Sequence, residues 1–224
     1  TRFNATYAHY FTQRSSLNAG ASFYLRAMDN NYLQQRVDGA KPTESWGFDD
    51  ESMLIEPGLF AEYTYQIEEK FSLVVGLRGD YSKINGDYYY DGANKGQILI
   101  TPRSHIRWSI TPRTTLRASA GMGYRRQNLV TDNIWMMTTS RDIRLNGLDD
   151  DMETAATFGG SLSQTFNLAG DDQTTISFDY FRTQFFNTMV FDQETADNSI
   201  LIYNTEGKSY TDNFQVDFNW TPFR

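Results

Sequence analysis

Apolar and polar residues alternate along most of this chain with a period of two. Over residues 17–27 every odd position is apolar (Leu17, Ala19, Ala21, Phe23, Leu25, Ala27), and Asn18, Gly20, Ser22, Tyr24 and Arg26 stand between them. An amphipathic helix would space its apolar groups three and four apart, so this rhythm reads as a β-strand with one oily face. The same pattern returns over residues 59–67, 71–81, 106–110, 116–124, 156–162, 176–180 and 214–220. With a first strand near residues 3–11, it predicts about nine strands. Most match the roughly 9–11 residues that cross a bilayer at a tilt. Those expected at residues 175–191 and 200–220 are longer and would protrude.

The connections carry a second pattern. Short ones at residues 13–16, 68–70, 111–114 and 167–173 alternate with long ones at 28–56, 82–98, 126–151 and about 192–199. An up-and-down barrel in a bacterial outer membrane has this asymmetry, with short periplasmic turns on one rim and long extracellular loops on the other. The expected fold is therefore all-β, part of an antiparallel up-and-down transmembrane β-barrel. Soluble sandwiches and lipocalin-like barrels also alternate. Against them, one face carries Glu62, Arg78, Asp80, Arg103, Arg107, Arg117, Arg125, Asp179 and Asp217, while the other is rich in Tyr, Trp and Phe near strand ends. A wet lumen and an interfacial aromatic girdle account for both.

Composition narrows the function. Mean hydropathy is −0.57, and uncharged stretches fall far short of the ~18 apolar residues a transmembrane helix needs. The absence of cysteine removes disulfide scaffolds, thiolate metal sites and cysteine nucleophiles. A formal charge of −8 argues against nucleic acid as a partner. The two histidines, His9 and His105, fall in different strands and make a poor zinc or catalytic site. No Gly-x-Ser-x-Gly elbow precedes a helix, and nothing calls for a cofactor. The acidic groups Asp49-Asp50-Glu51, Asp149-Asp150-Asp151 and Asp171-Asp172 lack the spacing of a calcium loop and read as solvated charge. Thr1-Arg2-Phe3 already reads as strand and Thr221-Pro222-Phe223-Arg224 as turn, so both ends look like cuts through a larger protein.

Specific motifs point further. Thr101-Pro102-Arg103-Ser104-His105-Ile106-Arg107-Trp108 is followed, after a short turn, by Leu116-Arg117-Ala118-Ser119-Ala120-Gly121-Met122-Gly123-Tyr124-Arg125-Arg126-Gln127-Asn128. Downstream come Thr139-Ser140-Arg141-Asp142-Ile143, Asp179-Tyr180-Phe181-Arg182-Thr183-Gln184-Phe185, Tyr203-Asn204-Thr205-Glu206-Gly207-Lys208-Ser209-Tyr210 and Asn213-Phe214-Gln215-Val216. In this order and spacing the chain, from about Glu56 onward, resembles TonB-dependent outer-membrane receptors of the siderophore and cobalamin type. The resemblance implies a barrel of 22 strands with a plugged lumen. Residues 1–224 would then be one partial barrel domain, without the plug or the remaining strands. It also implies partners: outer-membrane lipid, a plug in the lumen, the TonB complex acting through that plug, and a small-molecule or glycan ligand.

Two groups of residues are candidates for function; no catalytic or metal-ligating set is expected. Arg78, Asp80, Arg103, Arg107, Arg117 and Arg125 share the polar register and should face the lumen, where they could pair with neighbouring carboxylates or touch a plug. A charge ladder that only solvates the wall is the plainer reading. The loop over residues 126–151 holds Asn133-Ile134-Trp135-Met136-Met137, and Tyr88-Tyr89-Tyr90 lies in another. Trp135, Met136, Met137 and Tyr89 are candidates for ligand contact at the barrel mouth, or for packing the loops on themselves. The function expected is energised uptake of a scarce ligand. A passive pore or barrel enzyme is the alternative, and a soluble all-β adhesin comes third.

Overall fold

The computed structural model describes residues 1–38, 41–86, 96–126, 131–139, 141–145, 148, 152–167, 173–195, 198–205, 207 and 209–221. The strands are β1 (Arg2–Thr12), β2 (Ser15–Asp38), β3 (Lys41–Ile67), β4 (Phe71–Gly86), β5 (Gln97–Thr111) and β6 (Thr114–Arg126). A 3-10 helix (Thr131–Thr138) follows, then β7 (Asp142–Leu145), β8 (Met152–Phe166), β9 (Gln173–Phe186), β10 (Met189–Asp192), β11 (Ser199–Asn204) and β12 (Ser209–Thr221). Nine of them form one sheet in the order β1-β2-β3-β4-β5-β6-β8-β9-β12. Every neighbouring pair is antiparallel. This is the expected up-and-down wall.

Two of its tight turns share a chemical design. In Thr12-Gln13-Arg14-Ser15 the Thr12 hydroxyl accepts from the Arg14 amide at 3.1 Å and lies 2.8 Å from the Ser15 hydroxyl. In Thr111-Pro112-Arg113-Thr114 the Thr111 hydroxyl accepts from the Arg113 amide at 3.2 Å and donates to the Thr114 hydroxyl at 2.8 Å. The first threonine thus folds its own backbone over, which makes such segments turns by mechanism. A register shift precedes each turn. The third turn places Glu68 at φ 46° and closes with the Lys70 amide donating to Ile67 O at 3.0 Å.

Among the described residues, much of the apolar register lies open. Phe3, Tyr7, Leu59, Val75, Leu77, Ile98, Ile100, Phe214, Val216 and Phe218 all lie exposed, Phe214 at 76% of its surface. A soluble sandwich would bury such a face against a second sheet. Among the described residues the buried apolar side chains fall instead into two small groups, one of them Leu54 and Ile84 beneath Tyr24, the other in the outer loops.

Three expectations about boundaries are corrected. The loop expected over residues 28–56 is largely strand, since β2 and β3 stay paired from Ser15↔Tyr65 to Asp38↔Lys41. Asp29-Asn30-Asn31 and Asp49-Asp50-Glu51 break the alternation there. Backbone pairing carries the hairpin through these polar runs. The strand expected at residues 175–191 breaks at Asn187, which takes φ 54°, into β9 and β10. The one expected at 200–220 divides into β11 and β12. The upper pieces leave the wall: β10 pairs antiparallel with β11, and β11 pairs parallel with β7.

Candidate functional site

On the charged face, register decides which expected arginines find partners inside the wall. Glu62, Gly76, Arg103 and Gly121 stand in one cross-strand row on β3, β4, β5 and β6. Arg103 reaches across β4 to bond Glu62 at 2.5 Å. Gly76 lies under that bridge, where a Cβ would press on the Arg103 side chain. A second bridge crosses β3. Arg78 donates from Nε to Asp80 Oδ2 at 2.7 Å and from Nη2 to Asp80 Oδ1 at 2.5 Å, and Nη2 also reaches the Ser22 hydroxyl on β2 at 2.7 Å. Gly58 lies between, and a Cβ there would collide with the Asp80 carboxylate. The Asp80 side chain is wholly buried, against 39% exposure for Arg78.

Above Gly121 the β5–β6 register ends while β6 continues against β8. There Tyr124 comes beside Asp80 and Glu56, and Arg126 Nε donates to the Ser82 hydroxyl at 3.3 Å. Ser82 in turn donates to Glu56 at 2.7 Å. The top of β6 therefore swings past β5 and presents Tyr124 and Arg126 to β4. Alternation then sends Arg125 the other way, to within 3.7 Å of Asp132 on the 3-10 helix. The two-residue alternation puts Tyr124 on the oily face and Arg125 on the charged one. Tyr124 thus comes to the charged face of β4, and the Gly121-x-Gly123 pair just before the swing was the available signal.

The outer loops that follow β6 and β9 fuse into one folded unit. Met136, Leu148, Met189, Ile200 and Ile202 form its core, with Ile143 and Phe191 packed against it. Trp135 meets Phe191 edge-on at 6.0 Å. Arg141 Nη1 donates to Gln193 O at 2.6 Å and the Asp142 amide to Asn198 O at 3.0 Å, tying one loop to the other. Asp192 shapes the β10 turn by accepting from the Glu194 amide at 2.8 Å and the Thr195 amide at 3.0 Å, and from the Thr195 hydroxyl. These bonds, the Thr195 hydroxyl foremost, hold its carboxyl below the ordinary value. What they add to the turn is therefore present above the carboxyl's ordinary value and lost as pH falls through the depressed one.

Of the loop candidates, Met136 is 1% exposed and belongs to this core, whereas Ile134 and Trp135 reach the surface. Met137 lies on the helix, its side chain outside the described residues, and Tyr89 lies outside them altogether.

The oily face holds one polar cluster that alternation did not anticipate. Arg182 on β9 and Asp212 on β12 stand in the same register as Phe158. Their nitrogen and oxygen are 3.8 Å apart, Tyr180 donates to Asp212 at 2.9 Å, and the Arg182 guanidinium lies 3.9 Å over the Tyr210 ring. The cluster pairs one formal positive charge with one negative. As for the histidines, His105 is on the charged face, in register with Ser119, and His9 on the oily one, in register with Leu17, four strands away.

This wall, with its alternate short turns and long loops, is matched over residues 1–224 by the family model for the TonB dependent receptor-like β-barrel. The chain belongs to the TonB-dependent receptor family. Among solved structures it resembles the hemophore receptor HasR of Serratia marcescens, at 13% identity and a TM-score of 0.64, over 97% of this chain and 38% of that one. It also resembles the copper transporter OprC, at 14% identity and 0.64, over 99% and 35%. The FrpB iron transporter of Neisseria meningitidis follows at 15% and 0.57, over 97% and 31%. At such identities the likeness is one of fold. This TonB-dependent receptor chain spans about a third of the length of those structures. No curated protein matches it.

Proposed function

We propose that this chain is a stretch of the wall of a 22-stranded outer-membrane receptor, its oily face against lipid and its charged face lining a plugged lumen. The whole receptor captures a scarce ligand on its outer loops and imports it with energy delivered through TonB to the plug. The observation that carries this is the exposed apolar register of a nine-stranded sheet, opposed by a face of ion pairs. The Arg182–Asp212 cluster fits an upper membrane boundary: it stands eight residues along β9 from Thr174, the partner of Trp220 at the other end. At about 3.3 Å per residue and a tilt near 40°, that spacing is roughly 20 Å along the membrane normal, close to the ~25 Å band of such barrels.

The sidedness has a direct test. Val75 lies exposed on the oily face of β4, five positions into the strand. Val75→Arg in the full receptor is expected to cost about 2–4 kcal/mol in guanidinium unfolding from lipid vesicles, while Thr64→Arg on the charged face stays within about 1 kcal/mol. Equal costs would reject the assignment of faces.

Transport is tested by deleting the full-length gene and growing the strain on iron chelates, cobalamin or glycans as limiting nutrients. HasR is bound to its hemophore and heme, and OprC and FrpB are named for copper and iron, so metal sources form the first arm. Lost growth on one nutrient, restored by the intact gene, is the expected result. Normal growth on every nutrient would overturn the import reading in favour of a passive pore.

A further inference from the structure

Arg107 on β5 and Arg117 on β6 are direct cross-strand partners on the charged face. Side chains so placed have Cβ atoms about 4.5–5.5 Å apart, and like charges there repel. The other arginines placed here have their repulsion offset: Arg78 by Asp80, Arg103 by Glu62, Arg125 by Asp132. Arg107 and Arg117 are exposed, and no carboxylate of the described residues lies within 4.0 Å of either. The nearest one in their row is Asp179, two strands beyond Arg117. Arg103 spans the same two-strand interval because Gly76 leaves the way open, whereas Ser161 stands between Arg117 and Asp179.

A concavity of about 310 Å³ lies over the pair, lined also by His105, Ser119, Ser161 and Asp179. Two guanidinium forks side by side, with hydroxyls beside them, suit a carboxylate, whose two oxygens accept several charge-assisted bonds at once. Arg107 stands four residues before the end of β5 and Arg117 three after the start of β6, both beside the short turn. That places them at the periplasmic end of the proposed lumen, far from loops that would receive an external ligand.

We infer that Arg107 and Arg117 form a socket for one acidic side chain of the plug, an anchor between plug and wall. The inference rests on the proposed plugged lumen and adds which wall residues hold the plug and with what charge. The plug carboxylate relieves the repulsion between the two arginines, so the wall is completed by its occupant.

The test uses the full receptor in planar bilayers, with hydrogen exchange of the plug as a second readout. The double substitution Arg107→Gln/Arg117→Gln removes the charge without inserting a carboxylate, so the wall keeps its fold; heat-modifiable mobility checks this. Loss of charge-assisted bonds of this kind is expected to raise both open-channel leak and plug exchange about tenfold. Arg107→Glu/Arg117→Glu should leak more, and reversing one acidic plug residue to Lys should restore closure in that background. Unchanged leak and exchange, in a wild type that is closed, would sink the socket and leave the plugged lumen standing. A wild type that already conducts as an open pore would remove the plugged lumen itself. Binding of inorganic phosphate to the closed receptor, lost in Arg107→Gln/Arg117→Gln, would show a small-anion site and also overturn the anchor.

Discussion

Arg78→Met is expected to destabilise the full receptor by about 3–5 kcal/mol in guanidinium unfolding, more than any exposed charge change on the same face. The reason is what remains behind. Asp80 has no exposed side-chain surface, and Arg78 supplies two of its hydrogen bonds. Without the guanidinium, a buried carboxylate loses both of these bonds. An uncompensated buried charge costs more than the pair ever contributed.

The asymmetry between the partners sharpens this. Asp80→Asn strands a guanidinium that is 39% exposed and still bonded to Ser22, so water and a hydroxyl share its charge. That change should cost only about 1–2 kcal/mol. Combining Arg78→Met with Asp80→Asn should recover much of the single loss, because the orphan charge is gone. If Arg78→Met is as mild as Asp80→Asn, Asp80 is reached by water in the working receptor and the bridge over Gly58 is a surface feature. Unfolding midpoints of the three variants settle it.

The wall was legible from sequence because its rule is local. A two-residue period over Phe71, Leu73, Val75 and Leu77 needs no knowledge of partners, and short turns such as Thr12-Gln13-Arg14-Ser15 carry their own chemistry. The β2–β3 extension was not legible because Asp29-Asn30-Asn31 and Asp49-Asp50-Glu51 interrupt the alternation on which the rule depends. Bridges such as Arg103 to Glu62 depend on register across three strands, so the sequence could nominate both residues without joining them. Candidate loop contacts met a different obstacle. Trp135 and Met136 are adjacent and similarly apolar, yet one reaches the surface and the other is buried, a difference set by segments more than fifty residues downstream. The unbroken run Ile200-Leu201-Ile202 did hint at a separate core, since a wall strand with one oily face would alternate.

That core is where the largest local effect is expected. Ile200 is fully buried, pairs with Ile143 of β7, and packs with Met136, Met189 and Ile202. Ile200→Asp places an unpaired carboxylate in a cluster of a few side chains, at a cost of about 4–5 kcal/mol. So small a core cannot absorb that loss, and the loop unit should open as a whole. The wall should survive, because β11 pairs with β10 and β7 and with no strand of the nine-stranded sheet. Limited proteolysis of the full receptor is expected to cut the loops over residues 127–151 and 187–208 rapidly, with heat-modifiable mobility unchanged. Ile134→Asp supplies the control, since Ile134 is exposed on the 3-10 helix that carries Met136. It should leave proteolysis as in the wild type. If ligand uptake falls in both variants, the helix surface itself meets the ligand. A fall in Ile200→Asp alone makes the unit a scaffold for contacts elsewhere. Joint loss of wall and loops in Ile200→Asp would show that the two are not separate folding units.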